Sequence, residues 1–223
     1  MTAVGPDVFA ALVDPNLNDR SGSVFYSGRG AFAAPSNLYV LGLNPGGSPV
    51  AQADETIGRD LDEWHSGPTW WSAYVDESWR NAPPGTWGMQ PRIRHMFDQL
   101  GLDLRRVPAS NVVFVRTNGE AALANEKQSL LSKCWPVHRA VIDALEITTI
   151  LCLGATSGQW VRSLLGANEP AGRFIESNGR RWTNEAHLGS DGMCVITLTH
   201  PGRADWRNPA ADPTPLVREM LDR

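Results

Sequence analysis

The stretch that most constrains how this chain folds is Asn37 to Pro49, which reads Asn-Leu-Tyr-Val-Leu-Gly-Leu-Asn-Pro-Gly-Gly-Ser-Pro. Leu38 to Leu43 is apolar and rich in strand-favouring residues, so it predicts a buried strand. The run stops abruptly at Asn44-Pro45-Gly46-Gly47-Ser48-Pro49. Pro45 fixes its own φ and holds Asn44 extended. Gly46 and Gly47 lack Cβ, which opens the backbone to close approach by a ligand or a phosphate. Open α/β sheets bind ligands just beyond the carboxyl ends of their strands. Asn44 is thus a rigidly held amide where a site belongs, although Asn-Pro-Gly is also simply a good turn.

Three further runs predict strands: Val107 to Val115, Thr148 to Leu153 and Met193 to Thr199. Helical patterns cover Val8 to Val13, Asp54 to His65, Gln90 to Leu100, Gln159 to Leu165 and Pro215 to Leu221. Another covers Ser129 to Leu145, where Pro136 must start or kink the helix. Apolar strands alternating with helices predict one α/β domain over residues 1–223, with helices on both faces of a central four-stranded parallel sheet. Residues 1–36 read as an N-terminal extension and 50–88 as a long insertion with clustered Trp. Gly172 to Gly192 reads as a polar, Arg-rich excursion ahead of the last strand. The turn from Gly154 to Gly158 is not a nucleotide P-loop, because no Lys follows at the needed position.

A formal net charge of −4 excludes a globally basic nucleic-acid binder but leaves room for a local basic groove. Trp64, Trp70, Trp71, Trp79, Trp87 and Trp206 lie in polar or Pro/Gly-rich sequence. Such aromatics suit base stacking or a partner surface, or else pin long loops as small local cores. Cys134, Cys152 and Cys194 are far apart and form no ligand spacing, so neither a metal, an iron–sulfur cluster nor another cofactor is expected. Without a basic leader or a bilayer-length apolar run, the chain reads as a soluble cytoplasmic monomer with no membrane partner.

Two predicted strand ends share one build, Leu43-Asn44-Pro45 and Thr199-His200-Pro201: a polar side chain leaves a buried strand and a proline follows. Both fall on the same edge of a parallel sheet. Here the chain resembles the uracil-DNA glycosylase superfamily. Gly42-Leu43-Asn44-Pro45-Gly46 is similar to the first motif of its mismatch-specific and single-strand-selective branches, and His200-Pro201 to its second motif. Ser110-Asn111-Val112-Val113 resembles the middle strand of the thermophilic branch, and Ile150 to Gly154 the third strand and its turn. The likeness runs from about Leu38 to Arg207, and each motif is weak alone but stands in the right order.

The resemblance implies a fold of that superfamily and a monofunctional DNA glycosylase. It implies that Asn44 positions the attacking water beneath C1′ and that His200 donates to the pyrimidine O2 as charge builds there. Asn111 would meet the Watson–Crick edge of a flipped base, with Asn118 as the competing candidate. Trp87 would stack on that base, with Trp70 and Trp71 in competition, inside a pocket walled by Gly42, Leu43, Pro45 and Gly46. Gly47, Ser48, Arg203 and Arg207 would meet DNA, and Trp206 would wedge into the stack, unless it anchors the tail as a core residue.

Two departures matter. The thermophilic branch carries four cluster-binding cysteines, a set absent here. The strict uracil enzymes place a tyrosine where this chain has Gly46, so thymine or bulkier 5-substituted pyrimidines meet no steric wall. Repair and defence against modified foreign DNA both fit such an activity. Two other readings compete: a non-catalytic module binding DNA or protein, and a different α/β enzyme. The second finds no Gly-x-Ser-x-Gly elbow, Ser-His-Asp arrangement or metal motif in its favour.

Overall fold

The computed structural model of the chain describes residues 5–223. Its strands are β1 (Leu38–Gly42), β2 (Ala109–Asn111), β3 (Thr149–Leu153), β4 (Glu169–Ile175), β5 (Thr183–Leu188) and β6 (Cys194–Leu198). They form one mixed six-stranded sheet in the order β2-β1-β3-β6-β5-β4. This corrects the expected four-stranded parallel sheet. The pairs β1–β2, β1–β3 and β3–β6 are parallel, whereas β5 pairs antiparallel with both β6 and β4. The two extra strands come from the stretch read as an excursion. Their residues are polar because most of them are only half-buried or exposed, so no continuous apolar run marks them.

In β1 and β3 every residue is buried, as expected of strands covered on both faces. Alternation along the strands divides the interior. Tyr39, Leu41, Ile150, Cys152 and Val195 face a core shared with α1 (Asp7–Ala11), α4 (Glu120–Ala144) and α5 (Ala155–Leu165). Leu38, Val40, Leu151, Leu153, Ile196 and Leu198 face a second core shared with α3 (Gln90–Leu100) and α6 (Thr214–Leu221). The remaining helix, α2 (Ile57–Ser66), is capped by the Thr56 side chain and buries Ile57 and Trp64. Gly101, at φ 71°, ends α3 in the left-handed conformation that glycine tolerates. No helix among the described residues is long and apolar enough to cross a membrane.

Two sequence expectations need local correction. The Val107 to Val115 run is a strand only at Ala109–Asn111. Val112 and Val113 still donate to the carbonyls of Gly42 and Leu43, at 2.9 and 3.0 Å, but the chain beyond leaves the ladder. It pairs instead with the N-terminal region, through the bridge between Gly22 and Val115. That region is part of the core: Phe25 packs on Trp64 and Phe32 at ring separations of 4.4 and 4.9 Å. The second correction is α4, which starts at Glu120 and runs through Pro136. The ring stands on the exposed face of the helix, where the carbonyl left unpaired one turn earlier can be solvated.

Buried His138 ties α4 to the sheet. Its Nδ1 lies 2.9 Å from the Tyr39 hydroxyl and its Nε2 3.3 Å from the Val112 carbonyl. The carbonyl can only accept, so Nε2 carries the proton and Nδ1 accepts from Tyr39. Burial pushes the imidazole down to about 4, so it stays neutral at physiological pH.

Candidate functional site

The parallel strands β2, β1, β3 and β6 present their carboxyl ends on one edge. The chain leaves β1 for β2 on one side and then crosses back to β3 on the other. The edge between β1 and β3 is therefore a topological switch point, the usual place for a ligand in an open α/β sheet. Asn111 ends β2, Asn44 follows β1, Gly154 follows β3 and His200 follows β6. At roughly 4.8 Å between neighbouring strands, the ends of β1 and β6 that lead to Asn44 and His200 are about 10 Å apart, with β3 between them.

Gly154 stands at the end of β3 between them, with the His200 ring and the Ser157 hydroxyl nearest to where a Cβ would be. Its φ is +123°, which suits glycine, and a Cβ there would come within 3.6 Å of the His200 ring.

Asn44 is half-buried and held through its nitrogen. Its Nδ2 donates to the Val115 carbonyl at 3.3 Å, the Thr117 hydroxyl at 3.2 Å and the Pro45 carbonyl at 3.3 Å. Thr117 in turn donates to the Gly119 carbonyl at 3.0 Å. No donor among the described residues reaches Oδ1, which leaves an oriented acceptor that can hold a water.

His200 is set in the complementary sense. The Gly202 amide donates to Nδ1 at 2.9 Å, so in the neutral ring the proton lies on Nε2, a free donor. The surrounding atoms desolvate the ring, and Arg203 and Arg92 add positive potential; together they lower its proton affinity below that of an ordinary histidine. Arg92, from α3, also donates to the Pro201 carbonyl and lies 3.6 Å from Asp205, so it fastens the loop that carries His200.

Asn111 is 5% exposed and points to the same face of the sheet as Gly42, its partner in the β1–β2 ladder. Its Oδ1 occupies the space that a side chain at position 42 would fill. Its Nδ2 is buried with no hydrogen-bond partner, a donor left open at some cost unless a ligand meets it. The aromatic ring beside it is Tyr26, whose phenol is pushed far up by burial; no Tyr26–Asn111 bond of ordinary geometry forms, so the Asn111 donor stays open. Tyr26 packs against Tyr74 with ring centroids 5.9 Å apart. Tyr26 lies in the N-terminal extension, where the apolar Val24-Phe25-Tyr26 run is its only sequence signal.

The Asn44 loop is braced from behind by Arg116. This buried guanidinium donates to the Gly46 carbonyl at 2.8 Å, the Ser21 hydroxyl at 2.7 Å and Glu55 at 2.9 Å. Gln52 accepts from the Ser48 amide at 3.0 Å and fills the space beside Gly47, whose φ is +108°. Gly46 is exposed, with nothing within 4 Å of where a Cβ would stand. Leu43 is half-buried against the first core and Pro45 is buried, so neither opens freely to the edge.

The other expected residues divide. Trp87 stands at the head of α3, half exposed, with its amide donating to Gln90 at 3.0 Å. Trp70 is taken up elsewhere: it covers Gly30 and stacks under Arg106 at 4.6 Å. The neighbouring Trp71 joins the same wall, since its carbonyl accepts from the Gly28 amide at 2.8 Å. Asn118 is exposed and lines a shallow cavity of ≈ 390 Å³ with Pro49, Arg116 and Thr117, apart from Asn111. Arg203 is exposed, while Arg207 is matched by Asp205 at 2.8 and 2.9 Å.

Trp206 requires a correction. It is 0% exposed in the core with Leu216 and Val217, so it anchors the tail and is not presented to a partner.

Fold and site together define an α/β protein with polar side chains gathered at the switch-point edge of its sheet. No protein-family model and no curated protein matches the sequence.

Proposed function

We propose that the chain is a monofunctional DNA glycosylase that hydrolyses the N-glycosidic bond of uracil or a modified pyrimidine flipped out of DNA. The reading rests on the likeness to the uracil-DNA glycosylase superfamily. The observation that carries it is the matched presetting of two side chains across Gly154: Asn44 with its acceptor free and His200 with its donor free.

In the reaction the C1′–N1 bond breaks, the base leaves with the bonding pair, and water oxygen bonds to C1′. Asn44 Oδ1 orients that water, although an amide is a weak base and the proton passes on to solvent. The His200 Nε2–H meets the O2 of the leaving base, where its hydrogen bond strengthens as negative charge develops. Asn111 supplies the unpaired Nδ2–H to a base carbonyl, which favours a uracil-type edge over one bearing an exocyclic amine. Beside the 5-position, Gly46 leaves room for substituents.

The test is incubation with oligonucleotides carrying uracil, thymine, 5-hydroxymethyluracil and other altered bases, in single and double strands, followed by alkali cleavage. Strand scission at one class of base in wild type, absent in Asn44→Ala/His200→Ala, is the expected result. No scission with any base would overturn the reading.

A further inference from the structure

The β4–β5 hairpin is unaccounted for by the site described above, and its turn reaches the same edge. Because β5 runs antiparallel to β6, and β4 to β5, the connection between Ile175 and Thr183 lies beside the carboxyl end of β6 and His200. A polar network fastens it there. The buried Glu176 accepts from Asn178 at 2.7 Å and from the Thr199 hydroxyl at 3.5 Å, and Asn184 accepts from the Thr199 amide at 2.7 Å.

The turn carries Arg180 and Arg181, both exposed. Arg180 is preset twice: Nη1 donates to the Arg203 carbonyl at 2.7 Å, and its guanidinium stacks over Trp182 at 4.8 Å. Arg181 has φ 56°, a left-handed backbone rare for a side chain of this size. Among the described residues neither of them, nor Arg203, is in an ion pair, whereas Arg92 and Arg207 are matched by Asp205. Three exposed guanidinium groups without an ion pair thus stand on the hairpin turn and the adjoining His200 loop, linked by the Arg180–Arg203 hydrogen bond, in a chain of net charge −4.

We infer that the hairpin turn is a second phosphate-binding surface, on which Arg180 and Arg181 hold the DNA backbone beyond His200 while Arg203 joins the two regions. It rests on the DNA reading proposed above. A planar guanidinium fixed by stacking loses little freedom on meeting a phosphate and keeps further N–H donors for it. The contact positions the strand and carries no base preference.

The experiment measures fluorescence anisotropy of a labelled duplex containing a stable abasic-site mimic, titrated at several salt concentrations. Each phosphate contact contributes about −0.9 to the slope of log K against log salt. Arg180→Ala/Arg181→Ala is expected to make the slope shallower by about 1.8 and to weaken binding roughly tenfold or more at low salt. Arg180→Lys/Arg181→Lys, which keeps both charges, is expected to restore most of the slope. Arg139→Ala serves as the control, since that residue is paired with Asp143 on α4. Arg181→Ala alone, at an exposed position, guards against a folding defect and is expected to lose about 0.9.

An unchanged slope in all Ala variants, with wild type binding normally, would overturn the hairpin surface and leave the glycosylase reading intact. Wild type failing to bind the duplex would overturn both.

Discussion

Gly42→Ala tests the base-reading geometry with the least chemical change. Gly42 and Asn111 are ladder partners, and a Cβ on Gly42 would stand 2.1 Å from Asn111 Oδ1 and 3.2 Å from its Cγ. Ordinary van der Waals contact begins near 3.4 Å, so the amide must retreat by about 1.3 Å. It has little room, since Asn111 is 5% exposed and Tyr26 stands beside it. Overpacking of this kind costs about 1–3 kcal/mol. The displaced amide also no longer meets the base edge, so single-turnover excision should fall by roughly 10²-fold or more, the scale for losing one preorganised donor.

The decisive comparison is a double-mutant cycle by urea denaturation. With Asn111→Ala in place the steric partner is gone, and Gly42→Ala should then cost only a few tenths of a kcal/mol, giving a coupling of about 1–3 kcal/mol. An equal cost in both backgrounds would show that Gly42 is needed for some other reason, and the assignment of Asn111 to the pocket would lose its support.

Three further predictions follow from the same edge and its surroundings. His200→Ala should slow excision by about 10²–10³-fold and hurt uracil more than 5-fluorouracil, whose leaving anion needs less help; an unchanged ratio between the two bases would separate His200 from the leaving group. Gly46→Tyr should fold normally, since the position is open, and should block 5-substituted pyrimidines while sparing uracil; equal loss on all substrates would assign Gly46 to loop geometry. Asp60, raised to about 6 by burial, contributes stability that is complete below its ordinary value of 3.8 and lost as pH rises through 6. Asp60→Asn keeps an acceptor for the Val24 amide and should therefore stabilise the fold at pH 7.5 by up to about 3 kcal/mol, with the gain vanishing near pH 4 in thermal melts.

Asn44 and His200 were legible as letters, because a polar residue at the end of an apolar run is conspicuous; Asn111, inside the Val107 to Val115 run, was marked only by the resemblance, with Asn118 in competition. Their readiness for chemistry was not. Which end of the Asn44 amide is committed depends on Thr117 and the Val115 carbonyl, some seventy residues away. The His200 tautomer depends on a turn that brings the Gly202 amide back onto the ring. Trp206 shows the opposite case: its polar neighbours left it open between a wedge and a core anchor, and the fold makes it the anchor, fully buried.

The sequence alone determined the α/β class, the places of β1, β3 and β6 and the polar residues that follow β1 and β6. Those features follow from local periodicity and from the proline and glycine chemistry that stops these three strands. Tertiary structure decided the mixed six-stranded sheet, because β4 and β5 are stabilised by pairing at a half-solvated edge and leave no apolar run to read. It also decided that Tyr26 stands beside Asn111, that Arg116 braces the Asn44 loop and that Arg180 of the hairpin turn bonds to the loop after His200. Each of these is a long-range contact whose energy exists only once distant segments have closed on one another, so no window of sequence carries it.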